Sequence, residues 1–300
     1  MPFVAVTLAA LGGCASTSEL RRQHTKRQLR RALDEGTIAR PDRGRYVLAD
    51  ITEHRRIAHA RAGILSHTSA ALEHGWKVKI PPTLAQVTFP RTRHLRKETV
   101  AALTPHWSDL PPEDVVRGVT TPLRTVLDCA RHLPFDEALA VADAALRSHK
   151  VGVAQLAAAA AKVRGPGAGS VRRVVAHADA RATNPLESVL RALSIEEGFT
   201  LTPQLMIAES GLFAVVDLGD PDLRLVLEAE GYATHGTRAG LRRDCRRHSE
   251  LAVFGWDSLR YAYEDVMFNQ PWVRWTLRSW RETREGRIPP PPPRGSERAA

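Results

Sequence analysis

The chain has 300 residues, 43% of them hydrophobic and 25% charged, which excludes a globally disordered protein and indicates two or three domains. Lysine and arginine outnumber aspartate and glutamate by 43 to 33, and the net charge of +10 favours a polyanionic partner such as DNA. The three cysteines, Cys14, Cys129 and Cys245, form no CxxC pair, which excludes a zinc ribbon and argues against a disulfide framework. This cysteine usage fits a reducing compartment, and we expect a cytoplasmic protein.

The first segment of the chain is apolar. Val4 and Leu8 recur at helical spacing and Gly12-Gly13 stops the pattern, so we expect a first helix over residues 3–11. No lysine or arginine precedes the segment, as a secretory signal would require, and it is too short to span a bilayer. We therefore expect no membrane partner.

Two capping boxes follow this helix. Ser16 precedes Glu19 by three positions and Thr25 precedes Gln28 by three, so each pair predicts the start of a short helix. The second helix is expected to end at Gly36 and to bury Leu29 and Leu33. Four basic side chains face away from that apolar stripe: Lys26, Arg27, Arg30 and Arg31.

A hairpin is predicted after the basic helix, with strands over 37–40 and 45–48 and a turn at 41–44. Two helices joined by a tight turn and followed by a hairpin are typical of a winged helix-turn-helix, which we assign to residues 1–56. The alternative is a solvated helix with an arginine-rich outer face. On the first interpretation the DNA-binding residues are Lys26, Arg27, Arg30, Arg31, Arg43 and Arg45.

Residues 57–163 are expected to form a mostly helical middle region that packs with the winged helix. Strong helix formers over 136–146 and 154–163 support this expectation, and one strand is predicted at 86–89. The glycine-rich segment 164–170 is the strongest internal boundary.

Three further divisions follow from that boundary. Residues 164–183 are interpreted as a linker and lead helix, and residues 184–282 as a C-terminal domain that folds alone. Residues 283–300, with a run of five prolines, are predicted to be a disordered tail.

Three acidic residues in the C-terminal domain could carry chemistry. Glu187 lies on the helix that Asn184 and Pro185 begin, and Asp217 and Glu228 lie on neighbouring predicted strands. Two carboxylates that converge can hold Mg²⁺ or Mn²⁺, which lowers the pKa of a bound water and positions it for attack on a phosphodiester. The alternative is a set of exposed carboxylates at strand ends. An apolar strand makes an unpaired Glu228 costly, however.

Further residues continue this pattern along the chain in a fixed order: Glu187, Asp217, the run 228–232, His235, Asp244, Arg247, Leu251, Gly255-Trp256 and Arg260. In this order residues 170–282 resemble the very-short-patch-repair-like endonuclease domain of the PD-(D/E)xK superfamily, in an actinobacterial subfamily of unassigned function. The resemblance implies a restriction-endonuclease-like α/β domain with a mixed sheet.

The resemblance also implies roles for individual residues. Asp217 and Glu228 become the metal ligands, Glu187 assists them, and His235 takes a catalytic or phosphate-contacting place. Asp244 and Arg247 become an ion pair on the following helix, structural or phosphate-facing. The superfamily's lysine is absent, and Glu230, which shares a predicted strand face with Glu228, stands in its place.

The first 160 residues resemble a different family, the AbiEi-type antitoxins of type IV toxin–antitoxin systems. The matching stretches are Glu19-Leu20, Gln28–Arg31, Arg43–Leu48, Ser66 with Ala70-Ala71, and Thr121 with Arg124-Thr125 and Asp128. That family implies a winged-helix operator binder and a cognate toxin or other regulatory partner.

Two functional hypotheses remain open for this multidomain α+β or α/β chain. In the first, the winged helix targets a Mg²⁺-dependent nuclease domain to DNA. In the second, the winged helix represses transcription and the nuclease-like fold has no catalytic role. The ordered acids favour the first, whereas the missing lysine and the antitoxin-like first half favour the second.

Overall fold

A computed structural model describes residues 3–230 and 238–293, and side chains in the second stretch from residue 242 onward. The chain divides into two compact units. The first comprises residues up to Trp76 together with Ile80–Cys129, and the second comprises Lys77–Lys79 together with the chain from Ala130 onward.

The first unit begins with three helices and a small sheet: α1 (Phe3–Ala10), β1 (Cys14–Ser16), α2 (Thr17–Arg21), α3 (Lys26–Asp34), β2 (Ile38–Asp42) and β3 (Arg45–Leu48). The sheet is antiparallel in the order β1-β3-β2. Both predicted capping boxes are present, at Ser16 and Thr25, and the predicted hairpin is confirmed. Leu8, Leu20 and Leu29 form the centre of the core beneath them.

The rest of the first unit holds a second sheet and four helices: α4 (Glu53–Ala60), β4 (Ile64–Leu65), α5 (His67–Glu73), β5 (Gln86–Phe89), α6 (Lys97–Ala101), β6 (Thr104–Trp107), a 3₁₀ turn (Pro112–Asp114), β7 (Val115–Val116), β8 (Val119–Thr120) and α7 (Pro122–His132). The last three residues of α7 fall in the second unit. The five strands lie in the order β6-β5-β4-β8-β7. The prediction of a mostly helical middle region is therefore wrong between Ile64 and Thr120. Strands of two to four residues are too short for their side chains to show an alternating pattern.

The second unit begins with four helices: α8 (Phe135–Arg147), α9 (Val153–Lys162), α10 (Ala168–His177) and α11 (Pro185–Glu196). A buried ion pair joins α11 to α8, with Arg191 Nη2 2.6 Å from Asp143 Oδ2. Helices α8 and α9 thus belong to the same unit as α11, whereas the sequence placed them with the winged helix.

The glycine-rich segment lies inside the second unit. Gly165 and Gly167 both have a φ of +77°, which only glycine adopts without strain, and Gly167 is the N-cap of α10. Arg131 Nη1 donates to the carbonyl oxygen of Pro166 at 2.6 Å. The segment 164–170 is a tight turn between two helices, and the division between units falls after Cys129 instead.

A mixed four-stranded sheet completes the second unit, with the elements β9 (Thr202–Glu209), β10 (Leu212–Asp220), β11 (Leu225–Glu230), α12 (Arg238–Val253), β12 (Asp257–Ala262), α13 (Tyr263–Phe268) and α14 (Gln270–Arg284). Its strand order is β12-β11-β10-β9, with β11 and β12 parallel and the other neighbours antiparallel. One apolar cluster joins the sheet to α11, α13 and α14, and another joins it to α12. The expected mixed sheet, within an α+β chain, is present.

The end of the described chain is more ordered than the sequence predicts. Helix α14 continues to Arg284, and Trp275 Nε1 donates to the carbonyl oxygen of Pro290 at 2.8 Å. The predicted start of a disordered tail at residue 283 is therefore too early, and residues 294–300 lie outside the described residues. In the part of the chain that is described, no helix combines the length and apolar character needed to cross a membrane.

Candidate functional site

The basic face predicted on α3 is exposed. Its four cationic side chains reach solvent, Leu29 is 3% exposed, and Leu33 is half-buried against the same core. Arg31 is the member with an acidic partner, since its Nε lies 2.6 Å from Glu35 Oε1 one turn along the helix. The remaining cations of this face are Lys26, Arg27 and Arg30.

The hairpin after α3 contributes two further arginines. Arg43 lies in the β2–β3 turn and is exposed, and Arg45 begins β3 and is half-buried. Gly44, between them, has a φ of +77°, the left-handed conformation that this turn requires. The hairpin therefore contributes two arginines, one in the turn and one at the start of β3.

The sheet of the second unit brings Asp217 and Glu228 together. Leu218 on β10 lies opposite Leu227 on β11, so Asp217 and Glu228 occupy the next positions of these two antiparallel strands. Asp217 N–H approaches Glu228 Oε2 at 3.4 Å, and Asp217 Oδ2 accepts a hydrogen bond from Ala229 N–H at 2.9 Å. These contacts place the Asp217 and Glu228 side chains next to each other on the sheet.

Burial and mutual repulsion control the charge of this pair. Burial raises the pKa of Glu228 to about 7, and the adjacent Asp217 carboxylate adds to the rise. The pKa of Asp217 is raised as well, first by burial and further by the charge of Glu187, while the hydrogen bond from Ala229 opposes it. A raised pKa means that the pair retains a proton more readily than isolated carboxyl groups do, and a bound cation would compete with that proton.

Arg247 of α12 is the cation that reaches this pair. Its Nη1 lies 2.8 Å from Glu228 Oε1 and donates to the carbonyl oxygen of Val215 at 3.2 Å. The family resemblance implied an ion pair between Arg247 and Asp244, and the structure shows Arg247 in contact with Glu228 and Val215 of the sheet. Asp244 lies about one helical turn before Arg247 on α12.

Glu187 is linked to the Asp217–Glu228 pair through one intervening side chain, that of Gln204. Its carboxylate accepts hydrogen bonds from Thr183 N–H at 2.9 Å and Asn184 Nδ2 at 2.7 Å, so it is largely occupied at the start of α11. Gln204 Nε2 bridges the gap, at 3.0 Å from Glu187 Oε2 and 3.4 Å from Asp217 Oδ1. Three carboxylates were expected to converge. In the structure Asp217 and Glu228 lie side by side, and Glu187 is connected to Asp217 through Gln204.

Gln204 is a site residue that the sequence did not reveal. It lies on β9 with a φ of +50°, a left-handed conformation that is uncommon for a residue with a side chain. The one feature of the sequence that could have pointed to Gln204 is its polar side chain within a predicted strand. Within the described residues, no three histidine, cysteine, aspartate or glutamate side chains are arranged to hold a metal ion.

Glu230 is separated from the carboxylate pair by its own ion pair. Arg260 Nε donates to Glu230 Oε1 at 2.8 Å, and Arg260 is the parallel neighbour of Glu228 on β12. In this structure the Glu230 carboxylate is ion-paired with Arg260. His235 lies outside the described residues.

Comparisons with known proteins give relatives without an assigned function. No family model matches the chain. Two uncharacterized proteins of Mycobacterium tuberculosis, Rv2248 of strain H37Rv and MT2308 of strain CDC 1551, are each 34% identical to it over 154 residues. The match covers 50% of this chain and 56% of each relative, so the chain spans about half the length of the curated relatives it matches.

A solved structure gives a weaker likeness. The crystal structure of the RV2827C protein from Mycobacterium tuberculosis matches with a TM-score of 0.31 and 13% identity, over 67% of this chain and 82% of that chain. A likeness at this level carries no argument about fold or function.

Proposed function

We propose that the chain is a DNA-binding protein whose second unit is a Mg²⁺- or Mn²⁺-dependent, endonuclease-like domain that hydrolyses phosphodiester bonds. The observation that carries the proposal is the pairing of Asp217 and Glu228. Glu228 has a side chain only 5% exposed, and burying a carboxylate beside a second one is costly unless a cation or a proton lies between them.

The donor chemistry of the pair fits a hard divalent cation. Asp217 and Glu228 would hold it, since Mg²⁺ binds one or two carboxylates and fills its other positions with water and phosphate oxygens. When bound, the ion supplies charge compensation and a water of lowered pKa. Gln204 orients Asp217 through its amide, and Arg247, 30% exposed, offers a guanidinium that suits a phosphate oxygen.

The first unit would bring this site to DNA. Three cations on α3 and two on the β2–β3 turn suit a helix in the major groove and a wing on the phosphate backbone. The nine basic residues between Glu19 and Arg45 outnumber the four acidic ones, which supports binding to a polyanion.

The second candidate function is a transcriptional regulator or antitoxin-like protein with an inactive nuclease fold. Two observations favour it. Glu230 stands where a catalytic lysine is expected and pairs with Arg260, and Arg247 already neutralises Glu228. In that case the buried acids would stabilise the fold without holding a metal.

A cleavage assay on the full chain separates the two candidates. Supercoiled, linear and single-stranded DNA would be incubated with Mg²⁺ or Mn²⁺ and the parent, Asp217→Asn or Asp222→Asn. Asp222 is exposed in the β10–β11 turn and provides the matched control. We expect cleavage by the parent and the control and a loss of at least about 100-fold in Asp217→Asn. DNA binding without cleavage of any form by the parent would favour the regulator.

A further inference from the structure

An arginine-rich cavity of about 350 Å³ lies in the first unit, next to the β2–β3 turn. The end of α4 and the segment that leads from β5 into α6 form its other walls. Its guanidinium groups come from Arg43, Arg45, Arg61, Arg93 and Arg96. Arginines from three separate parts of the chain thus line the same cavity.

Acidic compensation in this cavity is small. Among its described lining residues Asp42 is the sole acid, and Arg61 Nη1 lies 3.7 Å from Asp42 Oδ2, with both side chains 45% exposed. A single exposed carboxylate at that distance cannot neutralise five guanidinium groups. The cavity therefore carries a net positive charge and, without an anion, mutual repulsion among its arginines.

Other arginines of the same unit have close acidic partners. Arg55 lies 2.6 Å from Glu73, and Arg124 lies 2.8 Å from Asp128. In residues 3–230, by contrast, no carboxylate within ion-pair distance is found for Arg43, Arg45, Arg93 or Arg96. Within the described residues, four of the cavity's five arginines thus lack the close carboxylate that Arg55 and Arg124 have.

The chemistry of the cavity fits phosphate. A guanidinium group offers planar, bidentate hydrogen bonding that matches phosphate oxygens, and it stays charged at any physiological pH. Several guanidinium groups around an open space can contact successive phosphates of one chain. Neutral or cationic ligands would leave the repulsion among the arginines in place.

We propose that this cavity binds phosphate groups, supplied by the phosphodiester backbone of a DNA duplex or by a free oligophosphate. The backbone source rests on the proposed DNA-binding function. Arg43 and Arg45 belong to both the wing and the cavity, so a duplex held by the wing would place its backbone there, with Arg93 and Arg96 extending the contact beyond the winged helix.

A charge-matched pair of variants tests this proposal in the full chain. Arg93→Ala/Arg96→Ala removes two cavity cations that lie outside the wing. Lys162→Ala/Arg172→Ala removes two exposed cations from α9 and α10 and leaves the same net charge. Circular dichroism and melting would verify that both variants are folded.

The first arm measures duplex binding by fluorescence anisotropy at several salt concentrations. Each lost phosphate contact lowers the slope of log Kd against log salt by about 0.9, so we expect a decrease of about 1.8 for the cavity variant and none for the control. The second arm measures melting of the parent and both variants in inorganic pyrophosphate. Pyrophosphate would then stabilise the parent and the control but not the cavity variant, while duplex binding would be the same in all three. That result would identify a free oligophosphate as the source of the bound phosphate groups.

Equal losses of duplex affinity in both variants, together with no effect of pyrophosphate on the parent, would overturn the proposal, because only net charge would then matter. Failure of the proposed function gives a different result. If the parent binds no duplex at all, the DNA-binding proposal fails, and the pyrophosphate arm alone decides whether the cavity binds phosphate.

Discussion

The ionisation of Glu228 depends on two neighbours of opposite charge. The Asp217 carboxylate favours the neutral form of Glu228, and the Arg247 guanidinium favours the charged form. Burial decides the balance and keeps the pKa near 7. The same side chain is thus protonated in acid and available to a cation at slightly alkaline pH.

This shift predicts how stability changes with pH in metal-free buffer. The pKa of Glu228 rises from 4.5 to about 7 on folding, so the folded chain binds this proton more tightly. Its contribution to stability is complete below 4.5 and is lost as the pH rises through about 7. We expect Glu228→Gln to flatten the fall in Tm across this window in the presence of EDTA. Glu250→Gln, at an exposed position of α12, should leave the fall unchanged. A Glu228→Gln profile parallel to the parent's would contradict this assignment.

Helix α3 is held in place by its ends and by one apolar side. Thr25 accepts from Gln28 N–H at 3.2 Å, and Leu29 is buried in the core, so the helix does not depend on the exposed side chains of Arg27 and Arg30. Removal of its cations should therefore affect DNA binding and leave folding unchanged.

We predict that Arg27→Ala/Arg30→Ala lowers duplex affinity and reduces the slope of log Kd against log salt by about 1.8, because two phosphate contacts are lost. The Lys162→Ala/Arg172→Ala variant serves again as the charge-matched control. Anisotropy titrations at several salt concentrations measure both slopes. If the α3 variant and its control have the same slope, α3 does not contact DNA.

Elements with strong local signals could be predicted from the sequence. The capping boxes gave α2 and α3, and Asn184, which accepts from Glu187 N–H at 3.1 Å, gave the start of α11. The five-stranded sheet could not be predicted, because its strands are short and their partners are distant. Leu65, for example, pairs with Val119.

The candidate site was predictable only in part. The period of two along β10 and β11 predicted which strand faces carry Asp217 and Glu228. The strand register, which the sequence does not show, places the two residues opposite each other. Gln204 and Arg247 were not predicted to contact the acids. A polar residue within a strand does not identify its partner, and an ion pair between a helix and a sheet leaves no local pattern in the sequence. Whether Glu187 joins the pair depended on hydrogen bonds at the start of α11, which its spacing does not reveal.

At the scale of the whole molecule, the division after Cys129 changes which fragment should fold. Asp143 on α8 is fully buried and is the partner of Arg191, so a fragment that starts after the glycine-rich turn leaves Arg191 without its carboxylate. The same fragment lacks α8, so the side of α11 that packs against α8 becomes exposed to water. The sequence alone suggested that residues from 170 onward would suffice.

We therefore predict that a fragment of residues 130–293 unfolds cooperatively, whereas residues 170–293 unfold at a lower urea concentration or fail to fold. Urea denaturation followed by circular dichroism compares the two fragments. Equal midpoints and slopes would restore the glycine-rich segment as the boundary between domains.

The central claim of this account is that Asp217 and Glu228 together hold a divalent cation. Titration calorimetry and melting of the full chain with Mg²⁺ or Mn²⁺, above the Glu228 pKa of about 7, test it most directly. We expect the parent and Asp222→Asn to bind the ion and to gain about 2.7 kcal/mol of stability at a hundredfold excess over Kd, and Asp217→Asn to gain none. A parent that shows neither binding heat nor a rise in Tm with either ion would contradict the claim.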